Sequence, residues 1–461
     1  VEDTQKTQLF ESMPVPRAVM TLAVPTVLSS LVMVLYNLAD TYFVGMLGDP
    51  IQNAAVTLAG PVLLAFNAVN NLFGVGASSM MSRALGAKDL DTVRRSSAFG
   101  FYLALFSGIL FSVLVAAFQQ PLLGLLGTNS ETYDATQQYM VWVVICGAAP
   151  AILNVVMAYL VRAEGAALHA SIGTMSGCIL NILLDPLFIL PWGLNMGAAG
   201  AGLATFLSNC VACLYFFVLL FFKRGRTYVC ISPKMLCFRK SLVVGVCSVG
   251  IPASIQNLLN VTGMTILNNF ASAYGSDAVA AMGISHKVQM IPMQIAMGVS
   301  QGIMPLISYN YASGNTPRMK KTLWFTLKIS QAFLVLSTIG LCVWSGPVTS
   351  LFMKQESIVA YGTQFLRAMS LSLPFLSMDF LAVGVFQACG MGSKSLVFAI
   401  LRKIVLEIPA LFILDWAFPL YGLAWAQTVA EVILSIAAVV VLLRLFQRLE
   451  KRGRDRLPPA A

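Results

Sequence analysis

The chain is a succession of long, unbroken apolar runs separated by short links. The runs fall at 21–43, 55–81, 97–119, 136–160, 168–190, 197–222, 242–270, 282–309, 323–346, 361–386, 395–416 and 421–446. Each is close to the ~20 mostly apolar residues that cross the hydrocarbon of a bilayer. A water-soluble domain could not accommodate them, because 58% of the 461 residues are hydrophobic and 10% charged. Ordinary globular domains hold ~45–50% and ~25%. The two-residue alternation of a barrel strand is absent, so the spans are predicted to be helices, which satisfy their own backbone groups in lipid. The expected fold is an all-α integral membrane protein of twelve transmembrane helices.

The net charge of +10 invites a nucleic-acid reading. The position of the charges argues against it. Lys and Arg gather in the two tails and in alternate links, for example Arg83, Lys88, Arg94 and Arg95, then Arg162, then Lys223, Arg224, Arg226, Lys234, Arg239 and Lys240. With Lys328, Arg402 and Lys403 read as first-turn residues, only Lys287, Lys354 and Arg367 fall on the other side. This is the positive-inside pattern. It predicts an even number of spans, both termini in the cytoplasm, and residence in the cell inner (plasma) membrane. No cleavable signal peptide is visible.

The sequence repeats itself weakly. Leu22-Ala23-Val24-Pro25 is echoed by Val249-Gly250-Ile251-Pro252, and at the same offset Gly48 meets Gly275. Arg162-Ala163-Glu164-Gly165 is echoed by Gln387-Ala388-Cys389-Gly390, and Gly200 by Gly422. The predicted organisation is a tail at 1–16, a six-helix lobe at 17–222, a basic linker at 223–240, a second six-helix lobe at 241–447, and a tail at 448–461. Six is even, so the lobes share an orientation and form two pseudo-symmetric bundles, a frame that places a substrate path between them.

Ionisable groups inside spans cost ~2.5–3.5 kcal/mol on insertion scales and need an explanation. Asp40 and Asp185 are the leading cases. Asn181 lies one helical turn before Asp185 on the same face. Pro186 removes a backbone donor and frees the carbonyl of Ile182. Such oxygens suit a hard cation, or a carboxyl that takes and releases a proton. Pro25, inside the first span, is a candidate hinge. Met33, Asn37, Phe66, Asn67, Asn70 and Asn71 are candidates for lining a substrate cavity. The second half offers Gln256, Asn257, Asn260, His286, Lys287, Asp379, Arg402 and Glu407, with Lys287 and Asp379 as a candidate pair. Glu431 reads as a helix-packing acid, and Arg162 and Glu164 as structural closures of the inner side.

Other classes find little support. The nine cysteines do not form the paired C-x-x-C…C-x-x-C spacing of a metal site. The presence of only two histidines argues against an enzyme, and no G-x-x-x-x-G-K-[ST] loop is present for ATP.

Several stretches together resemble the multidrug and toxic compound extrusion (MATE) family, closest to its prokaryotic exporters. They are Pro25…Tyr36-Asn37-Leu38-Ala39-Asp40-Thr41, Arg162-Ala-Glu-Gly165, Asn181-Ile-Leu-Leu-Asp185-Pro186, Gly200…Ala204-Thr205, Gln301-Gly302…Pro305…Ser308-Tyr309-Asn310-Tyr311, and Phe386-Gln387-Ala388…Gly390. The resemblance covers nearly the whole chain. It implies a secondary-active efflux antiporter, acting by alternating access on lipophilic, often cationic compounds, driven by H+ or Na+, and working as a monomer without a cofactor. It carries a cation-coupling role onto Asp40, Asn181, Asp185 and Thr205, with Asn154 a weaker addition. If Na+ is the coupling ion, Asp40, Asn181, Asp185 and Thr205 would be its ligands. A lipid-linked saccharide or precursor flippase of the same superfamily is the alternative. The Asp40 set has no counterpart in the second half, where Asp40 falls opposite Leu267.

Overall fold

A computed structural model describes residues 2–455, and side chains from Thr4 onward. The end of the expected C-terminal tail, 456–461 with Arg456, lies outside the described residues. Within them the protein is helical and no strand occurs. The first helix, α1 (Glu2–Glu11), falls inside the expected N-terminal tail. The spans follow: α2 (Val15–Met46), α3 (Pro50–Gly86), α4 (Leu90–Ala117), the pair α5 (Tyr133–Ile145) and α6 (Ala148–Ala163), α7 (Ala167–Ile189) and α8 (Ala198–Phe222). The second half gives α9 (Lys240–Ser272), α10 (Ser276–Ser313), α11 (Thr316–Val343), the pair α12 (Glu356–Ser370) and α13 (Leu373–Ala388), α14 (392–417) and α15 (Tyr421–Asp455). α15 continues through the first part of the expected tail.

Among the described residues nine helices are long and apolar enough to cross a membrane, and eleven spans result if each bent pair counts as one. The predicted run outside that count is the eleventh, α14, which holds Lys394, Arg402, Lys403, Glu407 and Asp415 and contains a π-helical stretch, Leu401–Glu407. Arg402 and Lys403 therefore lie in mid-helix, not in the first turn as the charge pattern suggested.

The internal repeat is visible in detail. α5–α6 bends by 45° and α12–α13 by 46°. A short helix precedes each bent pair, Gln119–Leu125 and Ser345–Phe352. α2 and α9 each hold one internal proline, Pro25 and Pro252.

The chain forms two compact units, Val1–Leu9 with Leu28–Ser254, and Phe10–Val27 with Ile255–Ala461. The crossover points lie two residues beyond Pro25 and two beyond Pro252. The units are thus not the two chain halves: α2 begins in unit 2 and ends in unit 1, and α9 does the reverse.

In unit 1 small residues set the helix spacing, as expected where lipid removes a hydrophobic drive. A Cβ at Gly173 on α7 would stand 2.4 Å from Cζ of Phe216 on α8, and one at Gly108 on α4 would stand 2.5 Å from Cα of Ala149 on α6. α8 starts at Gly197 (φ +63), where the Gln52 amide oxygen accepts the Ala198 N–H at 2.8 Å. α4 is capped by Asp89, which accepts from Thr92 N at 3.2 Å.

In unit 2 the bend between α12 and α13 would leave carbonyls unsatisfied at membrane depth, which is costly. Three neighbouring helices supply donors. Gln289 of α10 donates to the Met369 oxygen at 2.8 Å, Thr338 of α11 to Ser370 at 3.0 Å, and Thr428 of α15 to Ala368 at 2.7 Å. Met282, Phe365, Leu366, Leu411 and Leu423 belong to the buried core of this unit.

Candidate functional site

Asp40, Asn181, Asp185 and Thr205 all lie in unit 1. Asp40 comes from α2, Asn181 and Asp185 from α7, and Thr205 from α8. Asp185 is fully buried and Asn181 nearly so. With its amide turned so that nitrogen faces the carboxylate, Asn181 donates to the two Asp185 oxygens at 2.9 and 3.2 Å. Its other side meets the Thr205 hydroxyl at 3.3 Å. The Thr205 hydroxyl itself donates to the Ala201 carbonyl at 2.9 Å.

The Asp40 carboxyl faces that of Asp185 within hydrogen-bonding range. Its Oδ1 is buried without a hydrogen-bond donor. Two acids this close repel when both are charged, so the pair calls for one shared proton or one cation. The orphaned oxygen fits either.

Two tyrosines complete the cluster, and sequence reasoning gave neither a role. The Tyr36 hydroxyl bonds with Thr205 and lies beside Asp40 and Asp185. Tyr139 of α5, also buried, lies near the same two acids. Tyr36 stands one turn before Asp40, so helical spacing alone could have found it. Tyr139 had no such signal, because only packing brings α5 there.

A cavity of about 330 Å³ adjoins the cluster in unit 1. Met33, Asn37, Phe66, Asn67 and Asn70 line it, together with Tyr36, Asn154, Asn181, Thr205, Ser208 and Asn209. Asn71 does not. Three residues, Tyr36, Asn181 and Thr205, belong to both cavity wall and acid cluster. Asn154 sits apart from the acids, donating to the carbonyls of Pro150 and Ala151 at 2.8 and 3.0 Å and to Asn209 at 3.2 Å.

Unit 2 gathers a different set. Asp379 on α13 and Glu431 on α15 face each other, and Arg402 of α14 reaches Glu431 at 2.5 Å. All three are buried. Arg402 also lies over the Phe380 ring, 5.3 Å from its centre. Lys403 pairs with Glu407 one turn on, at 2.8 Å. These pairings explain how α14 tolerates its charges.

The expected Lys287–Asp379 pair does not form among the described residues: Lys287 is exposed on α10, and the buried cation near Asp379 is Arg402. Gln256 and Asn260 are half-buried on α9, outside the cavity of unit 1. Asp379 and Asn154 occupy equivalent places after the two bends, and Glu431 and Asn209 equivalent places after Gly422 and Gly200. Where unit 1 has a bonded amide pair, unit 2 has two acids and an arginine.

Comparison with known proteins adds the following. The sequence pattern of the MatE family matches residues 25–187 and 252–413. A curated relative, multidrug export protein MepA of Staphylococcus aureus (strain MRSA252), is 33% identical over 95% of this chain and 96% of its own length. Among solved structures, an outward-facing multidrug resistance MATE transporter of the MOP superfamily covers 96% of this chain and 98% of its own, at 26% identity and TM-score 0.90. A MATE crystal structure in complex with MaL6 covers 97% and 99%, at 26% identity and TM-score 0.91.

Proposed function

This chain belongs to the MatE family of multidrug and toxic compound extrusion transporters, and from that premise we propose that it is a secondary-active antiporter. It exports lipophilic, often cationic compounds and takes H+ or Na+ inward. It works as a monomer in the plasma membrane, with both termini in the cytoplasm. The supporting observation is the wall shared by the cavity and the acid cluster, formed by Tyr36, Asn181 and Thr205.

Asp40 and Asp185 take up the coupling cation, and Asn181 and Thr205 hold Asp185 in place or ligate Na+ with their oxygens. Filling the acid pair reorients Asn181, Thr205 and Tyr36 and so reshapes the cavity that faces the compound. Pro25 acts as the hinge of α2, which carries Asp40 at its far end.

The test is efflux of a fluorescent lipophilic cation from proteoliposomes, with pH and Na+ gradients imposed separately. One gradient should drive wild-type efflux, and Asp40→Asn should fall to the level of empty liposomes. Efflux driven by neither gradient, with Asp40→Asn equal to wild type, would overturn the assignment.

A further inference from the structure

Away from the acid cluster, unit 1 contains a second buried carboxylate with a complete set of partners. Glu164 follows α6, in the link to α7, and is 3% exposed. The Thr227 hydroxyl donates to both of its oxygens, at 2.9 and 3.0 Å, and the Tyr228 N–H donates to one at 2.7 Å. These donors come from the linker after α8. The remaining side of the carboxylate receives the ammonium of Lys6, from α1, at 3.1 Å. That same ammonium donates to the Arg226 carbonyl at 3.1 Å and stands over the Tyr228 ring, 5.4 Å from its centre.

The arrangement has the parts of an ammonium receptor. A carboxylate supplies charge, a backbone carbonyl supplies a second acceptor, and an aromatic face supplies a surface that attracts cations. Every one of these parts is contributed by residues 164 and 226–228, and Lys6 contributes only the guest. Burial raises the Glu164 carboxyl above its ordinary range, and the Lys6 charge draws it back.

The host of that guest is a weak element. α1 spans ten residues and is mostly polar. Helices below ~12–15 residues are marginal alone in water, so α1 depends on docking for its order: buried Phe10, stacked on Tyr309, anchors its last turn, and Lys6 holds the turns before it.

We propose that the Glu164 cage is an ammonium-binding site, that Lys6 is its tethered occupant, and that free primary alkylammonium compounds displace Lys6 and free the first turns of α1. A primary ammonium fits because it presents three donors on a slim stem, as the lysine does. The inference is independent of the ion-coupling reading and can be tested without transport.

A tethered ligand acts at an effective concentration on the order of millimolar. Free amine must exceed that to compete in the wild type, and need not when Lys6 is removed. The experiment uses the full chain in nanodiscs with n-butylammonium chloride as probe and NaCl at equal ionic strength as control. Hydrogen–deuterium exchange of α1 should rise with n-butylammonium in the wild type and stay unchanged with NaCl. Lys6→Ala should exchange rapidly over the turns of α1 before Leu9 without probe, while the turn anchored by Phe10 stays slower. By calorimetry, Lys6→Ala should bind n-butylammonium roughly tenfold more tightly than wild type, about 1.4 kcal/mol. Lys6→Ala/Glu164→Gln should lose that binding.

Lys6→Ala leaves the cage residues intact, so the single variant tests the idea even if the Glu164 change impairs folding. Equal binding to wild type and Lys6→Ala would overturn the proposal. So would wild-type α1 exchange that ignores n-butylammonium at concentrations saturating Lys6→Ala.

Discussion

Arg402 shows how much one buried side chain can decide. It lies between Glu431 and Asp379, with Phe380 under its guanidinium. Removing one partner of a buried charge group leaves the others uncompensated, a loss of about 3–5 kcal/mol. Arg402→Met should lower the stability of detergent-solubilised protein by that order, measured by denaturant titration. The triple variant Arg402→Met/Asp379→Leu/Glu431→Met should recover most of it, because an apolar set has nothing left to neutralise. The sequence displayed these residues as polar atoms out of place, but not as partners. Spacing along one helix connects Asn181 to Asp185 and Lys403 to Glu407. It cannot connect α13, α14 and α15, and for that reason Lys287 was a plausible partner for Asp379 until the fold put Arg402 there.

Among the elements, the bent spans and the proline helices carry the testable content. Gln289 donates to a carbonyl that the α12–α13 bend exposes. Gln289→Leu should cost about 0.5–1.5 kcal/mol, the net worth of one buried hydrogen bond, because Ser372 still donates to the Met369 carbonyl from its N–H at 3.1 Å and its hydroxyl at 2.6 Å. Circular dichroism melts read this, and Gln289→Glu offers a check, since it restores a donor only when protonated. α2 runs as one helix through Pro25, and the boundary between the compact units falls two residues later. Pro25→Ala should slow turnover of the fluorescent cation while its equilibrium binding stays near wild type. Unchanged turnover would remove the hinge from the mechanism. Helix positions were legible because apolar runs of bilayer length are a strong signal. The bends at 145–148 and 370–373 were not, since the apolar runs at 136–160 and 361–386 continue through both breaks, even though Pro374 stands just past the second.

For the whole molecule, the repeat and the charge pattern make one joint prediction. An even number of spans puts both ends of the chain on the same side. Green fluorescent protein fused at either terminus should fluoresce in cells, and alkaline phosphatase fused there should be inactive. An active phosphatase at the C-terminus alone would imply an odd number and reopen the status of α14, the span with the most charge. Two similar halves were visible in Leu22–Pro25 and Val249–Pro252. That each half lends the start of its first span to the other unit was invisible, because the exchange leaves the apolar pattern of α2 and α9 unchanged.

That exchange bears on how the protein is made. Residues 10–27 leave the ribosome early, yet the unit they belong to is not synthesised until the chain passes 255. Unit 1 is in turn incomplete until residue 254 has emerged, well beyond the linker that separates the sequence halves. Cutting the gene at the linker would therefore give two fragments that each lack a piece of their own fold and carry a piece of the other's. Neither should accumulate alone, whereas the two expressed together could assemble.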